Sequence, residues 1–136
     1  MPVNLSSSTH LRVDGLSARP LQIASDPGAG TSAAILGYPL NGPFDVRPGR
    51  LGQTRQVVTQ DAYGRGPVQR KIVSLRGLVR SGNSGGPMVD AAGRVVATIF
   101  AATTAGPRGG YAVPNELVKS ALAKASGPVS TGQCGG

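Results

Sequence analysis

Apolar and polar residues alternate along most of this chain in short runs, and turn residues interrupt the runs every few positions. Leu11-Arg12-Val13 alternates and predicts a short strand, closed by the Asp14-Gly15 turn. Leu21-Gln22-Ile23 alternates again before the loop Asp26-Pro27-Gly28-Ala29-Gly30. The run Ser32-Ala33-Ala34-Ile35-Leu36-Gly37 predicts a buried strand, and Tyr38-Pro39 closes it. Residues 40–50 carry Gly and Pro turn signals around Phe44 and Val46. A long strand is expected from Gly52 to Thr59, then a mobile loop over 60–67. Val68 to Leu75 alternates, with Val68, Arg70, Ile72 and Ser74 on one side. Pro87-Met88-Val89 predicts a strand, Asp90-Ala91-Ala92-Gly93 a tight turn, and Arg94 to Phe100 a strand rich in β-branched residues. After a loop over Gly106–Gly110, Tyr111-Ala112-Val113 is the last predicted strand.

The period then changes. Pro114 can open a helix at its first turn, and Asn115 is a good cap residue. Leu117, Val118, Ala121 and Leu122 share one face at helical spacing. Lys119 and Lys124 fall toward the end, where cations suit the helix dipole, and Ser126-Gly127-Pro128 stops the helix.

Composition narrows the class. A length of 136 residues fits one domain, and 39% apolar residues suffice for one core. The 21 glycines and 11 prolines argue against a helical bundle, because both residues break helix interiors. The recurring apolar runs argue against disorder, leaving a small, turn-rich β domain.

The net charge of +8 raises the question of an anionic partner. The cations are scattered, however, and the densest stretch, Arg65 to Arg80, has no interleaved aromatic stacking residues. A solvated basic surface is expected, with no specific nucleic-acid partner. No run approaches the ~18 apolar residues of a transmembrane helix. The start Met-Pro-Val-Asn-Leu-Ser-Ser-Ser lacks the features of a signal peptide. Cys134 and His10 are each alone of their kind, so an internal disulfide and a multidentate zinc site are excluded. No metal and no cofactor is expected. Cys134 reads either as an inert thiol in a loose tail or as half of a disulfide whose partner lies elsewhere.

The stretch that carries chemistry is Gly82-Asn83-Ser84-Gly85-Gly86-Pro87. Glycines around a serine free the backbone for unusual dihedrals and admit a substrate backbone close to the hydroxyl. Ser84 Oγ is the expected nucleophile. The loop Gly82, Asn83, Ser84 is the expected oxyanion hole, with the N–H groups of Gly82 and Ser84 as donors. A plain glycine-rich turn between strands is the bland alternative.

This hexapeptide resembles the nucleophile loop of the chymotrypsin-fold (trypsin-like) serine proteases. Pro87-Met88-Val89-Asp90 with Gly93-Arg94-Val95-Val96, and Gly110-Tyr111-Ala112-Val113-Pro114 with the helix after it, are similar to the HtrA-like group. Ile35-Leu36-Gly37-Tyr38-Pro39 resembles the first strand of that family's second barrel. The tail Thr131-Gly132-Gln133-Cys134 resembles the MarP type, an actinobacterial, membrane-anchored periplasmic form.

The resemblance implies an all-β fold, a six-stranded antiparallel Greek-key barrel with a C-terminal α-helix, the second barrel of a two-barrel protease. It would occupy residues 11–125, after an irregular N-terminus over 1–10 and before a tail over 126–136. It implies a polypeptide substrate and an extracytoplasmic location. It also implies a pocket with Leu78 at its base and walls from Phe100-Ala101-Ala102 and Gly110-Tyr111-Ala112, suited to a small or medium apolar side chain. Asn83 stands where trypsin itself has Asp, so activation by pairing with a newly cut N-terminus is not expected.

The family's His and Asp have no match here. His10 lies on what would be an apolar strand position, and Ser7 falls where the Asp would be. The expectation is the nucleophile-bearing half, inactive alone, whose partner is the N-terminal His/Asp barrel or a second chain. On this resemblance Cys134 would pair with a cysteine of that missing region. The alternative is a degenerate, non-catalytic barrel that binds peptides or a partner chain.

Overall fold

The computed structural model describes residues 10–60 and 65–130. Six strands lie in chain order: β1 (Ser32–Gly37), β2 (Asp45–Gln60), β3 (Pro67–Gly77), β4 (Pro87–Val89), β5 (Val95–Ala102) and β6 (Gly109–Pro114), followed by helix α1 (Asn115–Lys124). All neighbouring strands are antiparallel, and they close into a barrel in the order β1-β2-β3-β6-β5-β4. β1, β2 and β3 form a meander. The chain then crosses the barrel end and enters β4, which pairs with β1 and β5. This is the expected all-β barrel with its C-terminal helix. Residues 78–86, which hold the candidate nucleophile, are the crossing connection.

Ile35, Met88, Val96 and Ile99 fill the interior with almost no exposed surface, joined by Leu51, Val73, Leu75, Ala97 and Ala112. Closure requires bent strands. The register shifts between Leu51 and Thr54, between Met88 and Val89, and between Ile99 and Ala101, each the mark of a bulge.

β1 and β4 have the predicted bounds. β2 starts at Asp45, within the stretch whose Gly and Pro suggest turns. The reason is packing: a Cβ on Gly49 would meet Arg76 O at 2.8 Å and Met88 Cε at 2.9 Å. The residue marks a close approach of strands, not a turn. On β3 the enclosed residues are Val73 and Leu75, while Ile72 is buried on the opposite face. Leu11-Arg12-Val13 joins no ladder, and Leu21–Ile23 contributes one parallel bridge, Ile23 to Val95.

Asn115 does not cap α1. Pro114 is the N-cap residue, and Asn115 is the first helical residue, buried, with Nδ2 donating to Ala24 O (3.0 Å) and Val95 O (2.8 Å). It therefore ties residues 22–24 to the start of β5. On the helix, Leu117, Val118 and Ala121 are half-buried, whereas Leu122 is exposed. Ser7, Cys134 and part of the 60–67 loop lie outside the described residues.

Candidate active site

Ser84 stands exposed on the crossing connection. Its Oγ donates to Phe100 O across 3.1 Å. A carbonyl oxygen holds that proton without being a base for it. His10 is exposed in the N-terminal arm. Among the described residues no group of three or more His, Cys, Asp or Glu side chains is placed to hold a metal ion.

The loop is pinned on three sides. Gly85 N–H donates to Ile99 O (2.7 Å), and Ile99 N–H donates back to Gly86 O (3.0 Å). Leu40 N–H, from the corner between β1 and β2, donates to Ser81 O (2.8 Å). Gly86 has no space for a side chain, since a Cβ would lie 2.8 Å from Leu36 O and 2.9 Å from Asn83 O. Asn83 N–H donates to Arg80 O (3.0 Å), and Gly82 at the third position has φ +95°, the pattern of a type II turn over Arg80–Asn83.

These pins orient the two expected donors. In a trans peptide the C=O and N–H point in opposite directions, and the described chain has no cis peptide. Ser81 O is held toward Leu40, so Gly82 N–H points away from that corner. Asn83 O accepts from Gly86 N–H (2.9 Å), so Ser84 N–H points away from Gly86. Among the described residues no backbone carbonyl accepts from Gly82 N–H or Ser84 N–H.

Asn83 differs from the expectation. Its N–H is used inside the turn, its side chain is 3% exposed, and its Oδ1 accepts from Arg80 N–H (2.8 Å). It supports the turn and offers no donor to a ligand.

The expected pocket is smaller than its residues suggest. Leu78 is half-buried, Ala101 half-buried and Ala102 exposed, at one end of β5. Ala112 has no exposed surface and belongs to the core, not to a wall. Gly110 is buried, and the space its Cβ would take is closed by Ala101 O (2.4 Å) and Val79 Cγ2 (3.0 Å). Val79, which nothing local in the sequence marks, therefore crowds the site. Phe100 and Tyr111 face a different space, a groove of about 510 Å³ that Val57, Ile72, Arg55 and Arg70 also line.

Two further residues that the sequence did not mark reach the turn. Arg80 Nη2 pairs with Asp45 Oδ2 at 2.9 Å, and Arg47 Nε holds the same carboxylate at 2.9 and 3.1 Å. The hydrogen bond from Arg47, then its charge and those of Arg80, keep the Asp45 carboxyl below its usual range against the opposing effect of desolvation.

Comparison with known proteins agrees with this fold. The family described as "Trypsin-like peptidase domain" matches residues 8–97. Over 128 residues, 91% of this chain, the sequence is 35% identical to serine protease Rv3671c (MarP) of Mycobacterium tuberculosis strain ATCC 25618 / H37Rv, and equally to serine protease MT3772 of strain CDC 1551 / Oshkosh. The chain spans 32% of the length of these relatives. The crystal structure of the Rv3671c protease in its active form superposes with a TM-score of 0.79 at 34% identity, covering 89% of this chain and 55% of that one. An HtrA-type protease, AlgW S227A with a tripeptide, shares the fold with a TM-score of 0.65 at 21% identity, covering 85% of this chain and 38% of that one.

Proposed function

Because this chain belongs to the trypsin-like peptidase family, we propose that it is the nucleophile-bearing half of a serine endopeptidase. Ser84 Oγ attacks a peptide carbonyl as its proton passes to a base, and that proton leaves on the departing amine. Water, giving a proton to the same base, then releases the acyl group as the base returns that proton to Ser84. Gly82 N–H and Ser84 N–H stabilise the oxyanion of each tetrahedral intermediate. The carrying observation is the pair of pins that turns Gly82 N–H away from the Leu40 corner and Ser84 N–H away from Gly86, with no backbone acceptor for either among the described residues.

The substrate is a polypeptide. β4 begins at Pro87, opposite Thr98, and Gly85 and Gly86 carry the pairing only on to Ile99, so Phe100–Ala102 leaves a short open strand edge beside Ser84. An extended peptide can add its backbone there. Leu78, Val79 and Ala101 favour a small apolar side chain.

Proton removal needs a base that the described residues do not bring to Ser84. A His/Asp barrel outside this chain, or a second chain, supplies it. The groove that begins at Phe100 gives that barrel an apolar seat next to the hydroxyl it must reach. Without the base, only the ~10³–10⁴-fold contribution of oxyanion hole and binding remains in comparable triads. This reading includes an extracytoplasmic location and the pairing of Cys134 with a cysteine outside this chain. Among the described residues no helix is long and apolar enough to cross a membrane.

Fluorophosphonate labelling tests the proposal, on this chain and on its longest upstream extension, with Ser84→Ala as control. Labelling of Ser84 in the extended form alone is expected. Labelling of neither form overturns the enzyme reading in favour of a peptide-binding barrel, which the parked Ser84 proton also fits.

A further inference from the structure

The neutral Asn83 before Ser84 cannot be held by an ion pair, so the order of the oxyanion turn has another source. Arg80 is the residue that grips Asn83 from both sides of its own peptide: its C=O accepts the Asn83 N–H, and its N–H donates to Asn83 Oδ1. Its side chain reaches 35 residues back along the chain to Asp45. Both side chains are largely covered, with 29% and 23% of their surface exposed. Arg80 Nε is buried with no hydrogen-bond partner among the described residues, so Nη2 carries the link. Asp45 is the first residue of β2 and sits opposite Gly37 of β1, in the barrel wall. Arg47 holds the carboxylate from the other side.

Resting on the reading of Ser84 given above, we infer that Arg80 and Asp45 form a positioning pair that keeps the oxyanion turn in its working shape. The physical reason lies in the turn type. Types I and II differ by a flip of the central peptide, here Ser81–Gly82, and glycine accepts both. A flip would put Ser81 O where Gly82 N–H now points and present a carbonyl to an oxyanion. Leu40 N–H prevents the flip by holding Ser81 O. Leu40 and Asn41 have φ +57° and +59°, so this corner holds a conformation that side chains disfavour. The Asp45–Arg80 pair fixes the distance between that corner and the turn, and so keeps Leu40 within reach.

Amide hydrogen exchange by NMR, on the isotopically labelled chain, reads the pair directly through Leu40 and Asn83. In Asp45→Asn the protection of both amides is expected to fall by about fivefold, the scale of a partly exposed ion pair, while the β5–β6 ladder keeps its protection. Arg80→Lys, which leaves a cation facing the Asp45 carboxylate, is expected to retain part of it. Arg47→Gln, which leaves Arg80 facing Asp45, is expected to keep it. Should Asp45→Asn fail to fold, Arg80→Gln gives the same reading with the Asp45–Arg47 pair intact. In the form extended through a base-bearing barrel, Asp45→Asn is expected to lower kcat with KM unchanged, because oxyanion contacts act in the transition state. Unchanged protection of Leu40 and Asn83 overturns the inference, as does a fall in kcat that comes with loss of protection along the β5–β6 ladder, the sign that the whole barrel melts. Loss of protection in Asp45→Asn with no labelling of wild-type Ser84 in any form leaves the pair standing and removes the protease reading alone.

Discussion

At Gly82 a Cβ would come within 3.0 Å of Tyr38 O and 3.2 Å of Leu40 N, in a backbone region that side chains rarely adopt. Gly82→Ala is therefore expected to cost about 1–3 kcal/mol locally and to abolish labelling of Ser84 in the extended form, since the turn must deform to admit the methyl. Urea unfolding and probe labelling together check this. Acid acts on single residues as well. The Asp90 carboxyl is held low by the Arg94 N–H first, then by the Arg94 side chain and the Ala92 N–H, and Asp45 is held low by Arg47 and Arg80. A carboxyl whose folded pKa lies below its unfolded value adds stability above the unfolded value and loses it as pH falls through the folded one. The melting temperature is thus expected to drop below about pH 4, and the drop to flatten in Asp90→Asn and Asp45→Asn. The loop Gly82–Pro87 is legible in the sequence because its requirements are local: glycines at fixed offsets around a serine. The Asp45–Arg80 pair is not legible, because 35 residues separate its members and no periodicity joins them.

Among the elements, those with strong apolar runs are read correctly from pattern alone, β1 and β4 to the residue. The first half of β2 is hidden by Pro48 and Gly49, which signal a turn locally and a tight strand crossing in three dimensions. Leu11–Val13 alternates as a strand should, yet pairs with no strand among the described residues, and alternation alone does not supply one. Asn115 reads as a cap from its type and place. Its burial against Ala24 and Val95 depends on an arm some 90 residues earlier in the chain (a separation of 91 for the Ala24 contact). Asn115→Ala takes the side-chain donor from Ala24 O, leaves Val95 O with the Ala24 N–H alone, and is expected to cost about 1–3 kcal/mol. Faster exchange of the Ala24 and Val95 amides would locate the loss in the clip between arm and β5. Unchanged exchange there would mean that the arm is held by other contacts.

The whole barrel exposes its apolar groove along β2, β3, β5 and β6. If a base-bearing barrel seats there, Tyr111→Ser should weaken the association and leave the fold intact. Labelling of Ser84 should then need a higher concentration of the partner domain, added in trans. Sedimentation of the chain alone is expected to show self-association that the same substitution reduces. Strands and helix follow from the order of short apolar runs and the barrel from the family resemblance, whereas the face that needs covering emerges only once the strands are assembled.

The seam that closes the barrel is short: β1 meets β4 through Ala34 opposite Val89 and Ile35 opposite Met88. The connection carrying Ser84 is strung between β3 and that seam, and its shape exists only after the last strands have met. Such distant pairings form late, after the loop-closure entropy has been met. With Ser84 acting as proposed above, a growing or half-folded chain has the serine without the turn that orients Gly82 N–H and Ser84 N–H, and hydrolysis waits on the last strands. On that proposal, completion of folding is the first safeguard on the activity.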